Sequence, residues 1–255
     1  MPRLIVVAVA ALAFAVACGG EGRPRLLVAA ASDLRYVFEE MEAPFEERCE
    51  CDVVFSFGSS GLIATQVSQG LEVDVFASAD SAYIEDLEDN GSVVSGTVQV
   101  YAIGRIVLAI GAASHLEAET LDDLLGPEFE TISIANPDHA PYGLAAQQAL
   151  ESAGIWEAVE ARLVLGENAS LATQFVETRN AEAGIVPLSL AVQREGVLRY
   201  SLIDDGLHEP LVQVAAVTQR SRQPALARDF LAYLNGEEGR EMMRRYGFLL
   251  PGEAP

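Results

Sequence analysis

The chain reads DVVFSFGSSGLIATQVSQGLEVDVFASAD over residues 52–80. Two short apolar runs, at 52–57 and 73–77, flank a segment whose apolar residues have helical spacing. The motif Gly-Ser-Ser-Gly lies where the first run gives way to that segment. A short apolar run, a helix and a second short apolar run predict a βαβ unit with parallel strands.

The same alternation continues along the rest of the chain. Helical patterns occupy 33–48, 224–235 and 237–246, and further apolar runs of four to eight residues lie at 26–30, 106–110, 131–135, 183–187 and 211–217. Strands that alternate with helices are typical of the α/β class with parallel sheets. With 255 residues, half of them apolar, the chain is long enough for two such doubly wound lobes.

Two apolar stretches are candidates for strands that cross between the lobes. One is 97–110, with Gly104-Arg105 in its middle, and the other is 211–217, which has no helix nearby. We therefore expect a hinge, since two crossing segments allow the lobes to close on each other. The expected division is lobe 1 at 25–100 and 218–255, lobe 2 at 105–212, and crossovers at 101–104 and 213–217.

The charge balance excludes several function classes. Sixteen basic residues, all of them Arg, stand against 38 acidic residues, which gives a net charge of −22. This is the wrong sign for binding a nucleic-acid backbone, so we expect no nucleic-acid partner. The absence of Lys excludes Schiff-base chemistry, Ser-Lys dyads and the Walker phosphate loop.

The N-terminal segment is interpreted as a targeting signal. Residues 4–17, LIVVAVAALAFAVA, follow the basic Arg3 and are too short for a transmembrane helix. The sequence Ala-Val-Ala-Cys at 15–18 resembles a bacterial lipobox, which predicts a signal peptide at 1–17, a lipidated Cys18 and a linker at 18–24. Such a protein is anchored outside the cytoplasm by its acyl chains. An ordinary cleaved signal peptide is the alternative.

The remaining cysteines and the histidines indicate no metal site. Cys49 and Cys51 are separated by one residue, so a mutual disulfide would close a small strained ring, and we interpret them as two small residues beside a strand. His115, His139 and His208 are isolated from one another in the sequence. Neither pattern has the paired spacing of a zinc site.

Five strand ends lead through small or hydroxyl residues into helices. They contain Ser32, Ser60, Tyr142, Ala169 and Ser189. Helix starts expose unbonded backbone N–H groups at the positive end of the helix dipole, and the carboxyl ends of strands in α/β sheets face the ligand crevice. The set therefore predicts an oxyanion site between the lobes, although each Ser taken alone is equally typical of a helix cap.

A site built only from N–H and O–H donors would also be selective. A fully deprotonated dianion satisfies every donor, whereas a protonated anion carries an O–H that finds no acceptor. Asp33, which follows Ser32, is interpreted as a charge at a helix start rather than as part of this site.

Six motifs, in this order and spacing, resemble the substrate-binding proteins of molybdate and tungstate uptake transporters. They are VAAASDL (28–34), FSFGSSGLIATQVSQG (55–70), DVFASAD (74–80), IANPDHAPYGLAAQQAL (134–150), GENAS (166–170) and RRYGFLLP (244–251). The resemblance implies a periplasmic-binding-protein fold of type II, with the ligand cleft between its lobes. It also implies that the protein is not an enzyme and has no cofactor.

The resemblance further implies the ligand-binding residues. Ser32 and Ser60 would donate from one lobe, and Tyr142 and the backbone N–H of Ala169 from the other. Pro187 stands where some family members have a Tyr, so the fifth donor falls to Ser189 or to a water. The implied function is that of a monomeric lipoprotein that captures molybdate or tungstate and hands it to the permease of an ABC transporter.

Three alternatives stay open at this point. Sulfate or another tetrahedral oxyanion would use the same donors, because a donor set does not fix the size of a cavity. A serine-dependent hydrolase would use Ser32 or Ser60, but the chain has no matching base motif. A ferric-ion receptor would need clustered Tyr, His and carboxylate side chains at the cleft.

Overall fold

The computed structural model describes residues 23–194 and 196–253, which form two five-stranded sheets. The predicted signal peptide and Cys18 lie outside the described residues. In spatial order, the first sheet contains β2 (Asp52–Gly58), β1 (Arg25–Ala31), β3 (Val75–Ser78), β10 (Leu211–Val217) and β4 (Gln99–Gly104). The second contains β7 (Leu163–Gly166), β6 (Ile132–Ala135), β8 (Ala183–Pro187), β5 (Ile106–Gly111) and β9 (Leu198–Leu202).

Helices flank each sheet. The helices that follow strands of the first sheet are α1 (Arg35–Cys49), α2 (Ser60–Ser68), α3 (Ser81–Asp89), α8 (Pro224–Leu234) and α9 (Glu237–Arg245). Those that follow strands of the second sheet are α4 (Pro141–Ser152), α5 (Trp156–Val159), α6 (Ala169–Glu177) and α7 (Leu188–Ala191). Short 3-10 turns occur at Ser32–Leu34, Leu121–Leu125, Glu160–Arg162, Val192–Arg194 and Asp205–Leu207. The two-lobed α/β class is confirmed.

The predicted parallel βαβ units are present in both sheets, and each sheet is mixed because it also contains antiparallel strands. Strands β2, β1 and β3 pair in parallel, as do β7, β6 and β8. Strand β10 is antiparallel to both β3 and β4, and β5 is antiparallel to both β8 and β9. The reversed strands β5 and β10 are the first strands that the chain forms after each passage between the sheets.

The chain passes between the two sheets at two places. Arg105 alone separates β4 from β5, and residues 203–210 separate β9 from β10. The segments expected as crossovers, 101–104 and 213–217, lie within β4 and β10 of the first sheet. The two passages therefore lie next to those segments, and each passage connects a strand of one sheet to a strand of the other.

An aromatic cluster fixes α1 and α8 on the first lobe. The rings of Phe38 and Phe45, both on α1, pack edge-on against Phe230 of α8, with centroids 5.6 and 5.2 Å apart. All three side chains are buried. Burial of aromatic side chains contributes strongly to core stability, so this cluster holds α1 against α8 along most of its length.

Cys49 and Cys51 form a disulfide, so their interpretation as two unlinked residues is wrong. Helix α1 ends at Cys49, and Glu50 adopts a left-handed backbone conformation with φ of 52°. This turn reverses the chain within one residue and brings the two Cα atoms to 5.1 Å. That separation lies within the range in which two cysteines can be bridged.

Among the described residues, no helix combines the length and the apolar character that a membrane span requires.

Candidate functional site

A small cavity lies between the lobes, at the ends of β1 and β2 and at the starts of α4 and α6. Four of the residues predicted from the sequence line it together, namely Ser32, Ser60, Tyr142 and Ala169. Its volume is about 10 Å³, far below the roughly 300–1,000 Å³ of pockets that hold drug-sized ligands and close to the minimum that one water-sized group needs. The cavity therefore favours a compact ion over a larger organic ligand.

The two serine hydroxyls in the first lobe each accept one backbone hydrogen bond. The N–H of Ser170 donates to Ser32 Oγ at 3.1 Å, and the N–H of Ala79 donates to Ser60 Oγ at 3.1 Å. A hydroxyl carries one hydrogen to donate and two lone pairs to accept. Neither hydroxyl donates to an acceptor among the described residues. Each Ser therefore keeps its hydrogen for a group in the cavity.

Helix starts supply backbone donors from the second lobe. Tyr142 is the second residue of α4, after Pro141, and Ala169 is the first residue of α6, after its cap Asn168. Their backbone N–H groups meet no acceptor in the part of the chain that the structure describes. An unbonded N–H at a helix start, strengthened by the helix dipole, is a natural anion-binding group.

The hydroxyl of Tyr142 lies beside β4 and β10, the strands next to the two passages between the lobes. Gln213 Nε2 donates to it at 3.3 Å, and a Cβ on Gly104, the last residue of β4, would come within 2.1 Å of it. Glycine is thus required at position 104, because any side chain there would displace the phenol. Tyr142 therefore offers the cavity its backbone N–H.

Ser189 takes a different position from the other four predicted residues. It is buried at the start of α7, and its Oγ donates to the backbone carbonyl of Asp33 at 2.8 Å. It does not belong to the lining of the cavity. Its hydroxyl instead ties the second lobe to the turn that carries Ser32.

Asp33 lines the cavity as well, and its side chain is buried. The lining therefore includes one acidic residue beside the expected donors. Burial raises the pKa of this carboxyl to about 7 and outweighs the lowering effect of the polar groups beside it, among them Gln213, whose Nε2 donates to Asp33 Oδ2. Asp33 does begin a helical turn, as the sequence indicated, but the second lobe covers it.

Further contacts hold the lobes in a closed arrangement around the cavity. The backbone carbonyl of His139, in the loop before α4, accepts from Ser59 Oγ at 2.5 Å and from the N–H of Gly61 at 2.9 Å. On the opposite side, Ser170 Oγ donates to the carbonyl of Ser32 at 3.0 Å. The motif Gly-Ser-Ser-Gly thus has two roles, since Ser59 joins the lobes and Ser60 lines the cavity.

A wider groove between α1 and α6 is a less suitable anion site. It contains Arg35 and Arg194, but Arg35 pairs with Glu39 at 3.2 Å and Arg194 pairs with Glu177 at 2.5 Å. The Arg194 guanidinium also lies 4.9 Å from the centre of the Tyr36 ring and donates to its hydroxyl. The contact between Arg194 and Tyr36 joins the lobes, and each of the two cations is paired with a Glu.

Residues 26–249 match the family model described as bacterial extracellular solute-binding protein. The chain belongs to this family. The molybdate-binding protein ModA of Azotobacter vinelandii is 33% identical over 97% of both chains, and that of Rhodobacter capsulatus is 32% identical over 88% of both. The solved structure of the periplasmic molybdate-binding protein of A. vinelandii superimposes with a TM-score of 0.84 at 30% identity, covering 89% of this chain and 99% of that one.

These findings confirm the resemblance that the six motifs indicated. The chain is a solute-binding protein and not an enzyme, so the serine-hydrolase alternative is set aside. In the described part of the solute-binding protein, no group of three or more His, Cys, Asp or Glu side chains is placed to hold a metal ion.

Two site residues were missed by sequence reasoning. Ser59 is indistinguishable from Ser60 in the sequence, because both are hydroxyl residues at one helix start. Asp33 carries the signal of an ordinary helix-start acid. Its burial depends on contacts with α4, α7 and β10, which no local pattern around residue 33 encodes.

Proposed function

We propose that this solute-binding protein captures molybdate or tungstate outside the cytoplasm and delivers it to the permease of an ABC transporter. The observation that carries the proposal is the donor set of the cavity. Ser32 and Ser60 each keep a hydroxyl hydrogen, and Tyr142 and Ala169 each keep a backbone N–H. These four groups come from both lobes and surround a space suited to one compact anion.

The proposed binding mechanism follows from the closed arrangement. Ser32 and Ser60 lie on the first lobe and the helix starts of α4 and α6 on the second, so an anion that contacts all four groups joins the lobes. Hydrogen bonds to an anion are charge-assisted and are strengthened when water is excluded. Anion binding therefore favours closure, and the closed form is the one we expect a permease to recognise.

Neutral donors explain how a chain with net charge −22 holds an anion. The surface charge is screened by salt beyond roughly 8–10 Å. Inside the cavity, fixed N–H and O–H dipoles replace the water of the anion without any cationic side chain. The two Arg residues nearest the groove are already paired with Glu, so the proposed site does not depend on them.

A melting assay with several ions tests the choice of ligand. At about 100 times the dissociation constant, a bound ligand stabilises the fold by ~2.7 kcal/mol. We expect clear shifts with molybdate and tungstate and little shift with sulfate or ferric ion at constant ionic strength. Molybdate and tungstate have longer metal–oxygen bonds than the S–O bonds of sulfate, so a closed cavity sized for them leaves stretched hydrogen bonds to sulfate.

The outcome assigns the ligand. A sulfate shift equal to the molybdate shift would transfer the proposal to tetrahedral oxyanions in general, and a shift with ferric ion alone would favour the iron receptor. Elemental analysis of the purified protein gives an independent result, because a tightly bound metal oxyanion co-purifies. If no oxyanion shifts the melting temperature and none co-purifies, the proposal of an oxyanion receptor is rejected.

The same proposal includes a lipid anchor at Cys18 and a monomeric receptor. The anchor is supported by the apolar segment 4–17, whose last three residues form the sequence Ala-Val-Ala-Cys together with Cys18. The substitution Cys18→Ser should move the protein from the membrane fraction to the soluble fraction while anion binding stays unchanged. Cys51→Ser is a control for a general loss of a cysteine, since Cys51 belongs to the internal disulfide. Membrane association that persists in Cys18→Ser would contradict the anchor.

A further inference from the structure

Asp33 lines the anion cavity, and its buried carboxyl group has one oxygen without a hydrogen-bond partner among the described residues. Its Oδ2 accepts a hydrogen bond from Gln213 Nε2 at 3.1 Å. Its Oδ1 is shielded from solvent and has no hydrogen-bond partner among the described residues. The residue as a whole is 1% exposed. An unpaired buried carboxyl oxygen is costly, and here it belongs to a residue that lines the same cavity as the donors proposed for the anion.

The groups that face Asp33 from the neighbouring elements are uncharged. They are Gln213 from β10, Tyr142 from α4 and Ser189 from α7, and Tyr101 of β4 donates to Gln213 at 3.2 Å. Burial raises the pKa of both Tyr142 and Tyr101 well above 10, so both phenols stay neutral at physiological pH.

The charged groups nearest in sequence or on packed helices are engaged elsewhere. Arg35, the next residue, pairs with Glu39 on the surface, and Glu177 at the far end of α6 pairs with Arg194. The imidazole of His139 contacts Ser59 Oγ at 2.8 Å. The parts of α6 and β2 beside Asp33 contribute the neutral Ser170 and Gly58. No cation in the described structure therefore offsets a charge on Asp33.

A doubly charged anion and an ionised Asp33 would repel each other in this closed space. The repulsion between like charges is strong in a low-dielectric cavity, and the binding of one proton removes one of the two charges' contribution to it. If the proton sits on Asp33, its O–H becomes a further donor to the anion. If it sits on the anion, Oδ1 becomes the acceptor that the O–H needs. Both descriptions contain the same atoms and the same total charge.

We propose that Asp33 couples anion capture to protonation, so that one proton is held between its carboxyl and the anion in the closed cavity. This inference rests on the proposed function. The binding step is an uptake of one proton from solvent by the pair of dianion and carboxylate, with no other bond made or broken. Asp33 is thus a specificity-determining residue, because it makes an oxyanion with one proton acceptable to the site.

The direction of the pH dependence follows from the empty site. The pKa of Asp33 there is about 7, and a bound dianion raises it further. Below about pH 7 the proton is already present, so affinity is constant. Above that pH the proton must be taken up on binding, and affinity falls by about tenfold per pH unit until the pKa of the bound state is reached.

Calorimetric titration of sodium molybdate into the purified protein tests the coupling. At about pH 8, titrations in HEPES and in Tris differ in heat by the number of protons taken up times the difference in buffer ionisation enthalpy. We expect an uptake close to one proton per anion for the natural protein. Asp33→Asn should lower the uptake to near zero and make the affinity independent of pH between about 7 and 9, because the amide N–H replaces the acid O–H at every pH.

A matched control separates a local proton from a general charge effect. Asp138→Asn removes one negative charge from the exposed part of the loop before α4 and should leave the proton uptake unchanged. Proton uptake that persists in Asp33→Asn, or that disappears in Asp138→Asn, would overturn the assignment to Asp33.

The two proposals fail in different ways. Absence of binding heat and of a melting shift with both molybdate and tungstate would reject the proposed function and the coupling with it. Binding with equal heats in both buffers and a flat pH dependence would reject the coupling and leave the function intact. The comparison of buffers uses the natural protein, so it decides the question even if Asp33→Asn does not fold.

Discussion

The guanidinium of Arg105 donates to the carboxylate of Asp205 at 3.2 Å, and this ion pair joins the two passages of the chain between the lobes. The two side chains are only 19% and 17% exposed. Asp205 Oδ1 lies 4.0 Å from His208 Nε2, and neither atom has a hydrogen-bond partner among the described residues. The pair therefore ties the single residue of the first passage to the second passage and fixes the hinge at that point.

Removal of one member should destabilise the hinge. Arg105→Ala leaves the Asp205 carboxylate largely buried without its donor, which costs about 1–3 kcal/mol in the free energy of unfolding. Urea denaturation measures this loss. Arg222→Ala is the control, because its pair with Glu72 is solvent-exposed and should contribute much less. Equal losses in the two variants would show that the Arg105–Asp205 pair behaves like any surface pair.

Gly61 tests whether closure is needed for binding. A Cβ at this position would lie 2.7 Å from the backbone oxygen of His139 on the other lobe and 2.8 Å from the Tyr83 hydroxyl. The Tyr83 ring can give way, but the His139 backbone can retreat only if the lobes separate. Gly61→Ala should therefore weaken anion affinity and abolish the compaction that a bound anion produces in small-angle scattering.

The control for Gly61→Ala is Gly111→Ala at the end of β5. Its Cβ would meet the nearest atom, Val176 O, at an ordinary 3.8 Å. We expect normal affinity and normal compaction for this variant. A Gly61→Ala protein that still compacts on adding molybdate would show that the contact with His139 adapts without opening.

The serine hydroxyls should dominate the affinity. Ser32→Ala or Ser60→Ala removes a hydrogen bond to a charged ligand, worth about 1.5–3 kcal/mol, which is roughly one to two decades in the dissociation constant. Calorimetry at pH 7 measures the change. Ser68→Ala, at the exposed end of the same helix as Ser60, should leave affinity unchanged. Affinities within twofold of the natural protein in both Ser32→Ala and Ser60→Ala would remove these hydroxyls from the site.

Much of the fold follows from local patterns in the sequence. All seven apolar runs that were predicted as strands are strands, because each is short, apolar and bounded by turn residues. Strands β7 and β9 were missed. Several of their residues are exposed or half-buried, so their apolar signal is weak. The sequence of 97–110 predicted one long strand, but Arg105 divides it between two sheets.

The site was only partly predictable for a related reason. Ser32, Ser60, Tyr142 and Ala169 lie at helix starts, and helix starts carry a local signal. The hydroxyl of Ser189 was expected in the cavity, but it donates to Asp33, and this contact arises only when the lobes meet. The burial of Asp33 is likewise a property of the closed pair of lobes. The roles of Ser189 and Asp33 are therefore set by contacts between segments distant in sequence, which no local pattern encodes.

Asp33 should make the stability of the fold depend on pH. Its pKa is raised from 3.8 to about 7 by burial, so the folded state resists its ionisation whereas the unfolded chain does not. For an acid whose folded pKa is raised, stability is greatest below the unfolded value near 4 and is lost as the pH rises through about 7. A shift of about three pKa units corresponds to a loss of about 4 kcal/mol in the free energy of unfolding. This is an upper limit, because opening of the lobes would hydrate the carboxylate and reduce the loss.

Asp33→Asn removes this penalty, so the variant should gain stability relative to the natural protein as the pH rises from about 4.5 to about 8. Above that pH the difference should stay constant, because Asp33 is then fully ionised. Urea denaturation without anion, at a series of pH values, measures the difference between the two proteins and cancels the other titrating groups that they share. For Asp138→Asn, a change on the surface, the free energy of unfolding should differ from that of the natural protein by a constant amount at every pH. A constant difference between Asp33→Asn and the natural protein over the whole range would mean that Asp33 titrates alike in the folded and unfolded chains, against the burial seen in the closed cavity.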